Sequence, residues 1–229
     1  MKRGAGANHA DSVERSGGPR RGAGPTRGMV GLAVAVTLLQ PACSLAPRAN
    51  GRAPLGELPP PGYGTLRQDD VSISLSSGAL RLMVTPLDPS VTHVTAPDTY
   101  RRLSGLLQRH GGDGEVGTTS LFLVSFYSDQ PDVRFVPEEV QLISHGIRVR
   151  PGAIVPVTPS WGERRVGQRQ TEMAVYRFAT EIDLESGLVL AYGLEETSAW
   201  EITLTRIRAE RARARARAGI GFEEGQSAS

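Results

Sequence analysis

The chain has 229 residues, 39% of them hydrophobic and 22% charged, which suits one soluble globular domain and is short for two large ones. Its net charge of +2 conceals a division: residues 1–42 carry +4, residues 43–205 carry −5, and six arginines between Arg206 and Arg217 make the tail basic again. Lys2 is the only lysine and Cys43 the only cysteine, so a chain without its first residues has no Schiff-base or phosphate-loop lysine, no internal disulfide and no multi-cysteine zinc site.

Residues 29–44 read MVGLAVAVTLLQPACS. Met29 to Leu39 is an apolar run of 11 residues behind Arg20, Arg21 and Arg27, with small residues after it. A positive start, a short apolar segment and a small-residue cleavage point make an export signal. A spanning helix takes roughly 18 apolar residues or more, so this run is too short to stay in a bilayer. It also lies between Pro/Gly-rich segments that offer it nothing to pack on.

Leu39, Gln40, Pro41, Ala42 and Cys43 resemble the cleavage site of a bacterial lipoprotein precursor. Ala42 and Cys43 match that pattern; Gln40 and Pro41 depart from it, with the leucine one place early. The resemblance covers the leader and Cys43 alone. It implies lipidation at Cys43 and membrane attachment there, and Ser44 implies sorting to an outer membrane, facing the periplasm or the surface. Ordinary cleavage between Ala42 and Ala46 gives instead a soluble periplasmic or secreted protein.

From Ala46 to Arg67 the chain has Pro47, Pro54 and Pro59 to Pro61 with four glycines and no periodicity. This reads as a tether that holds a domain on the order of 25 Å from its anchor.

Short strands follow. VSISL (71–75) and ALRLMVT (79–85) alternate apolar and polar residues around a Ser-Ser-Gly turn and predict a hairpin. Next, a helix is expected near Asp98, read as its N-cap, with Tyr100, Leu103, Leu107 and His110 as its stripe and Gly111-Gly112 as its end. SLFLVSFYS (120–128) is apolar on both faces and predicts a central strand. EVQLIS (139–144) and IRVR (147–150) flank a tight turn at His145-Gly146, and EMAVYRFAT (172–180) and LVLAY (188–192) flank a polar connection containing Gly187. AWEITLT (199–205) reads as a last strand with Trp200, Ile202 and Leu204 inward.

About eight strands predict a mainly β protein: an antiparallel, immunoglobulin-like β-sandwich or barrel with one short helix, a disordered N-terminal region and a basic C-terminal tail. "Immunoglobulin-like" refers to architecture only, because the Cys and Trp spacing of antibody domains is absent. The expected organisation is a leader over 1–42, a tether over 43–67, the β-domain over 68–207 and the Arg/Ala-rich tail over 208–229.

No motif carries catalysis. Gly112, Gly114 and Gly117 spell G-x-G-x-x-G, but a helix precedes them and a strand follows, the reverse of a phosphate loop. Asp113 and Glu115 beside them lack calcium-loop spacing. His93, His110 and His145 lie in separate segments, and no Gly-x-Ser-x-Gly elbow supplies a serine. No metal site and no cofactor is expected.

Trp161, with Arg164 and Arg165, lies in a long polar connection, where an exposed aromatic beside arginines is a candidate anion- or partner-binding feature. Arg206, Arg208, Arg211, Arg213, Arg215 and Arg217 form the second candidate. Alternate residues of a helix are turned by about 200°, so in a helix these arginines fall on two opposing faces, and the segment reads as a solvated, fraying helix or as disorder. An anionic envelope polymer or a protein partner suits that charge, and export removes nucleic acid from reach.

The expected function is therefore an exported, lipid-anchored cell-envelope protein with a non-catalytic binding or structural domain. One alternative is a soluble periplasmic hydrolase whose site is assembled from loop histidines and carboxylates. The other, if the leader is retained, is an arginine-tailed nucleic-acid binder.

Overall fold

The computed structural model describes residues 58–111 and 119–227, with side chains described to residue 219. The leader, Cys43, the first part of the tether and the loop of Gly112, Asp113, Gly114, Glu115 and Gly117 lie outside the described residues.

The described elements, in order, are β1 (Ile73–Ser77), β2 (Leu80–Pro86), α1 (Pro89–Thr92), α2 (Pro97–His110), β3 (Ser120–Ser128), β4 (Val133–Arg134), β5 (Val140–Ser144), β6 (Ile147–Val149), β7 (Ala153–Pro156), β8 (Arg165–Val166), β9 (Gln170–Phe178), β10 (Leu188–Tyr192), β11 (Glu195–Thr197) and α3 (Trp200–Ser227). A five-stranded sheet runs β1-β2-β3-β9-β7 and a four-stranded sheet β11-β10-β5-β6, with β4-β8 as a short ribbon; every strand pair is antiparallel. Neither sheet closes on itself, so the mainly β architecture is a sandwich rather than a barrel.

Alternation decides which face is buried. In β3, Phe122, Val124 and Phe126 point between the sheets, where they meet Leu82 and Val84 of β2, Tyr176 and Phe178 of β9, Leu142 of β5 and Leu190 of β10. Leu121 and Leu123 point the other way and pack with Val175 and Leu87 beneath Leu103, Leu106 and Leu107 of α2. The expected two-sided central strand is therefore present, with β2 and β9 on its flanks. Each phenyl ring removed from water contributes roughly 2–3 kcal/mol.

The β5–β6 turn has φ values of 51° at His145 and 76° at Gly146, and Ser144 pairs with Ile147. Both central residues in the left-handed region make a type I′ turn, whose twist matches that of the strands.

Seven of the eight expected strands form, but the eighth does not. Residues 200–205 open α3, and the expected inward side chain of Ile202 is 71% exposed. Trp200, Thr203, Leu204, Ile207, Glu210, Arg211, Ala214 and Ala218 are buried instead, the spacing of one helix face. Trp200 Nε1 donates to Leu184 O at 3.2 Å. The tail is thus a continuous helix packed on the body, and the expected boundary at 207/208 falls inside it.

In α2, Pro97 occupies the first turn and Ala96 the cap position, so Asp98 lies within the first turn rather than capping it. Its buried residues are Thr99, Leu103 and Leu106. The end of the expected tether is also built into the fold. Leu66 bridges Thr95, and a Cβ at Gly64 would lie 2.0 Å from the Val94 carbonyl carbon, so only glycine fits there.

Candidate functional site

The three histidines singled out in the sequence do not meet. His93 Nδ1 lies 2.9 Å from Pro59 O, and its ring stands edge-on to Tyr100 with centroids 5.7 Å apart. His110 ends α2, where its carbonyl accepts from Arg177 Nη2 at 2.6 Å. Only His145, held out on its turn and 63% exposed, faces a carboxylate: Nε2 lies 3.1 Å from Asp183 Oδ2 and 3.4 Å from Ser186 Oγ.

This cluster borders a cleft of about 390 Å³ lined by Ile143, His145, Ser186, Leu188, Ser198 and Glu201, among others. Three pieces of chain build it: the β5–β6 turn, the connection entering β10, and the first turn of α3. Asp183 Oδ1 accepts from Glu185 N at 2.8 Å, which folds the connection back and leaves Oδ2 for the histidine.

Asp183 and Ser186 both address the same ring nitrogen. A serine relay needs the carboxylate on one imidazole nitrogen and the hydroxyl on the other, so that the second nitrogen takes the serine proton. Here both oxygens lie on Nε2, so the two-sided arrangement that a serine relay requires is not made. The cleft instead offers carboxylate, imidazole and hydroxyl groups beside the cross-strand apolar pair Ile143 and Val189, a chemistry that fits a small ligand carrying hydrogen-bond donors. Among the described residues, no three His, Cys, Asp or Glu side chains gather to hold a metal ion.

The second candidate region, α3, is tied to the body by its arginines. Arg211, buried, donates from Nε and Nη2 to Ser90 O at 3.1 and 2.9 Å. Its Nη1 lies 2.6 Å from Glu185 Oε1, off the N–H axis, so that contact is an ion pair rather than a directed hydrogen bond. Arg208 also reaches Glu185, and Arg206 reaches Asp70 at 3.3 Å. Arg217 donates to Tyr63 O at 2.9 Å and pairs with Glu210. Arg213 stands 3.7 Å from Glu210 and is 71% exposed, while Arg215 is exposed and has no partner among the described residues.

Glu210 itself is 2% exposed and accepts from Thr65 N at 3.0 Å and Thr65 Oγ1 at 2.8 Å. Burial pushes its carboxyl up, but the Thr65 and Arg217 hydrogen bonds and the Arg217 charge outweigh it and hold the group below its ordinary value. Burial likewise raises the Tyr176 and Tyr192 hydroxyls; Tyr176 donates to Pro137 O at 3.0 Å.

Trp161 is not exposed. Its ring packs at 5.0 Å from Phe135 and 5.8 Å from Phe126, inside the aromatic end of the core. Arg164 pairs with Glu138 at 2.7 Å and Arg165 with Asp132 at 2.5 Å, so both guanidinium groups are half-exposed and engaged with carboxylates at the surface. A short 3-10 turn over Pro159–Glu163 tucks the indole inward, and Arg164 ends it in the left-handed conformation. Sequence reasoning missed Asp183, Ser186, Ser198 and Glu201, whose convergence with His145 arises only from pairing Leu188 with Ser144.

No family model matches the chain, and no curated protein matches it. Among solved structures it is similar to MPT63, a secreted protein from Mycobacterium tuberculosis, with 10% sequence identity over 58% of this chain and 94% of that chain and a TM-score of 0.29.

Proposed function

We propose that the chain is an exported protein, joined to a membrane by lipid at Cys43, whose β-sandwich is a non-catalytic binding or structural domain of the cell envelope. The observation that carries this reading is the order of the first segments: arginines, 11 apolar residues, Ala42-Cys43, then a Pro/Gly-rich stretch before the fold. Ser44 after the cysteine favours the outer membrane as its site. The cleft at His145 supports binding over catalysis, because Asp183 and Ser186 share one imidazole nitrogen instead of taking opposite ones.

Labelled fatty acid fed to the native host should be incorporated into the wild type and not into Cys43→Ala. Equal labelling of both would remove the anchor.

The hydrolase reading draws on the 3.4 Å approach of Ser186 to His145. Under the binding reading, Ser186→Ala leaves any ester hydrolysis by the purified protein unchanged. A loss of about a hundredfold or more would establish a serine mechanism.

A further inference from the structure

The buried face of α3 leaves an outer face that follows a different repeat. Ile202, Thr205, Ala209, Ala212 and Ala216 are all exposed and recur at spacings of three and four residues. At about 100° per residue they form one strip roughly 21 Å long. Arg206 and Arg213 run along one side of it, Arg208 and Arg215 along the other. In heptad terms the small residues take the first and fourth positions of a helix–helix seam, and arginine takes all four flanking positions.

We propose that this face docks an acidic amphipathic helix of a partner protein. The six arginines from Arg206 to Arg217 meet only three described carboxylates, Asp70, Glu185 and Glu210. The surplus lies at the strip, on Arg213 and Arg215, where it complements glutamates flanking an approaching seam. Alanine at three of the five seam positions lets a second helix approach closely, near the short end of the usual 8–10 Å interaxial range.

A second copy of this chain fits badly. In a parallel or an antiparallel pair the flanking positions set arginine against arginine, and such like-charge contacts select against that partner. A bilayer fits less well than a helix, because Ile202 is the one large apolar side chain of the strip and offers little area to insert. The proposal rests on reading the sandwich as a binding domain but not on lipidation, so a negative fatty-acid result leaves it standing.

The test is calorimetric titration of the full-length chain with a synthetic peptide of three heptads carrying Ala and Leu at the seam and Glu at the flanks. A scrambled peptide of the same composition and phosphatidylglycerol vesicles serve as the other probes. The heptad peptide should bind, with affinity falling as salt is added. Arg213→Glu with Arg215→Glu should weaken it about tenfold or more, and Ala209→Gln with Ala212→Gln, which keeps every charge, should weaken it similarly. Arg101→Glu with Arg102→Glu on the exposed side of α2 makes the same charge change elsewhere and should leave binding within about twofold.

Equal binding of the scrambled peptide, or no loss with the glutamine pair, would overturn the seam in favour of charge alone. Vesicle capture that depends on Arg213 and Arg215 without peptide binding would overturn it in favour of a membrane. Dimerisation abolished by the glutamine pair would overturn it in favour of self-association.

Discussion

The two long helices bury different kinds of surface. α2 lays Leu103, Leu106 and Leu107 on the outer face of β3 and β9, an apolar seam whose strength is the area it removes from water. α3 begins the same way with Trp200, Leu204 and Ile207, and then buries Glu210 and Arg211 before returning to Ala214 and Ala218. Its second half is held by named polar contacts: Glu210 to Thr65, Arg211 to Ser90 and Glu185, Arg217 to Tyr63. An apolar seam tolerates imperfect partners, whereas a buried charge is costly the moment one partner is removed.

The largest expected effects fall on the apolar parts. Trp200→Ala deletes a fully buried indole and its hydrogen bond and should cost about 4 kcal/mol, and Leu103→Ala about 3 kcal/mol, by chemical denaturation with unchanged m-values. Arg211→Ala separates the two modes of attachment. It strands Ser90 O and leaves Glu185 with Arg208 alone, so a loss of about 2–3 kcal/mol is expected. By contrast, Arg102→Ala on the exposed side of α2 should stay within about 0.5 kcal/mol. Equal small losses from both arginine variants would mean that α3 is held by its apolar half alone.

A smaller effect tests the pH side of the comparison. The Glu210 carboxyl is held below its ordinary value near 4.5, so the folded state binds that proton less readily than the unfolded chain does. Its contribution is therefore complete above that range and is lost as pH falls through the depressed folded value. Glu210→Gln should be less stable than the wild type at neutral pH, and the gap should narrow on acidification below about pH 4.5. A gap that is flat with pH would remove Glu210 from the attachment of α3.

The contrast also explains what the sequence allowed one to read. Strands with clean alternation, such as Leu80 to Val84, or with apolar residues on both faces, such as Leu121 to Phe126, are legible because each side chain's fate depends on one period. AWEITLT is ambiguous: Trp200 and Leu204 satisfy both a two-residue and a 3.6-residue period, and Ile207 decides between them only if the reading continues past 205. The Ala/Arg run that follows strongly favours helix and carries that conformation back to Trp200.

β4 and β8 are two residues each and β11 is Glu-Glu-Thr, so these three carry no apolar pattern to detect, whereas β7, Ala-Ile-Val-Pro, is apolar but only four residues long and closed by a proline. At the candidate site, the His145-Gly146 turn is visible locally. Its meeting with Asp183, Ser186 and Glu201 depends on strand register, which one-dimensional periodicity does not encode. Trp161 fails for the opposite reason: polar neighbours disguise an anchor that the 3-10 turn folds into the aromatic core.

α3 is part of the fold, bolted by its inner face and presenting its outer one. Native-state hydrogen exchange, read peptide by peptide, addresses this directly. Amides from Leu204 to Ala218 should be protected to nearly the same degree as those of Ser120 to Ser128, with a sharp drop in protection in Arg211→Ala. Rapid exchange across 204–218 while the strands remain protected would instead make the segment a solvated tail.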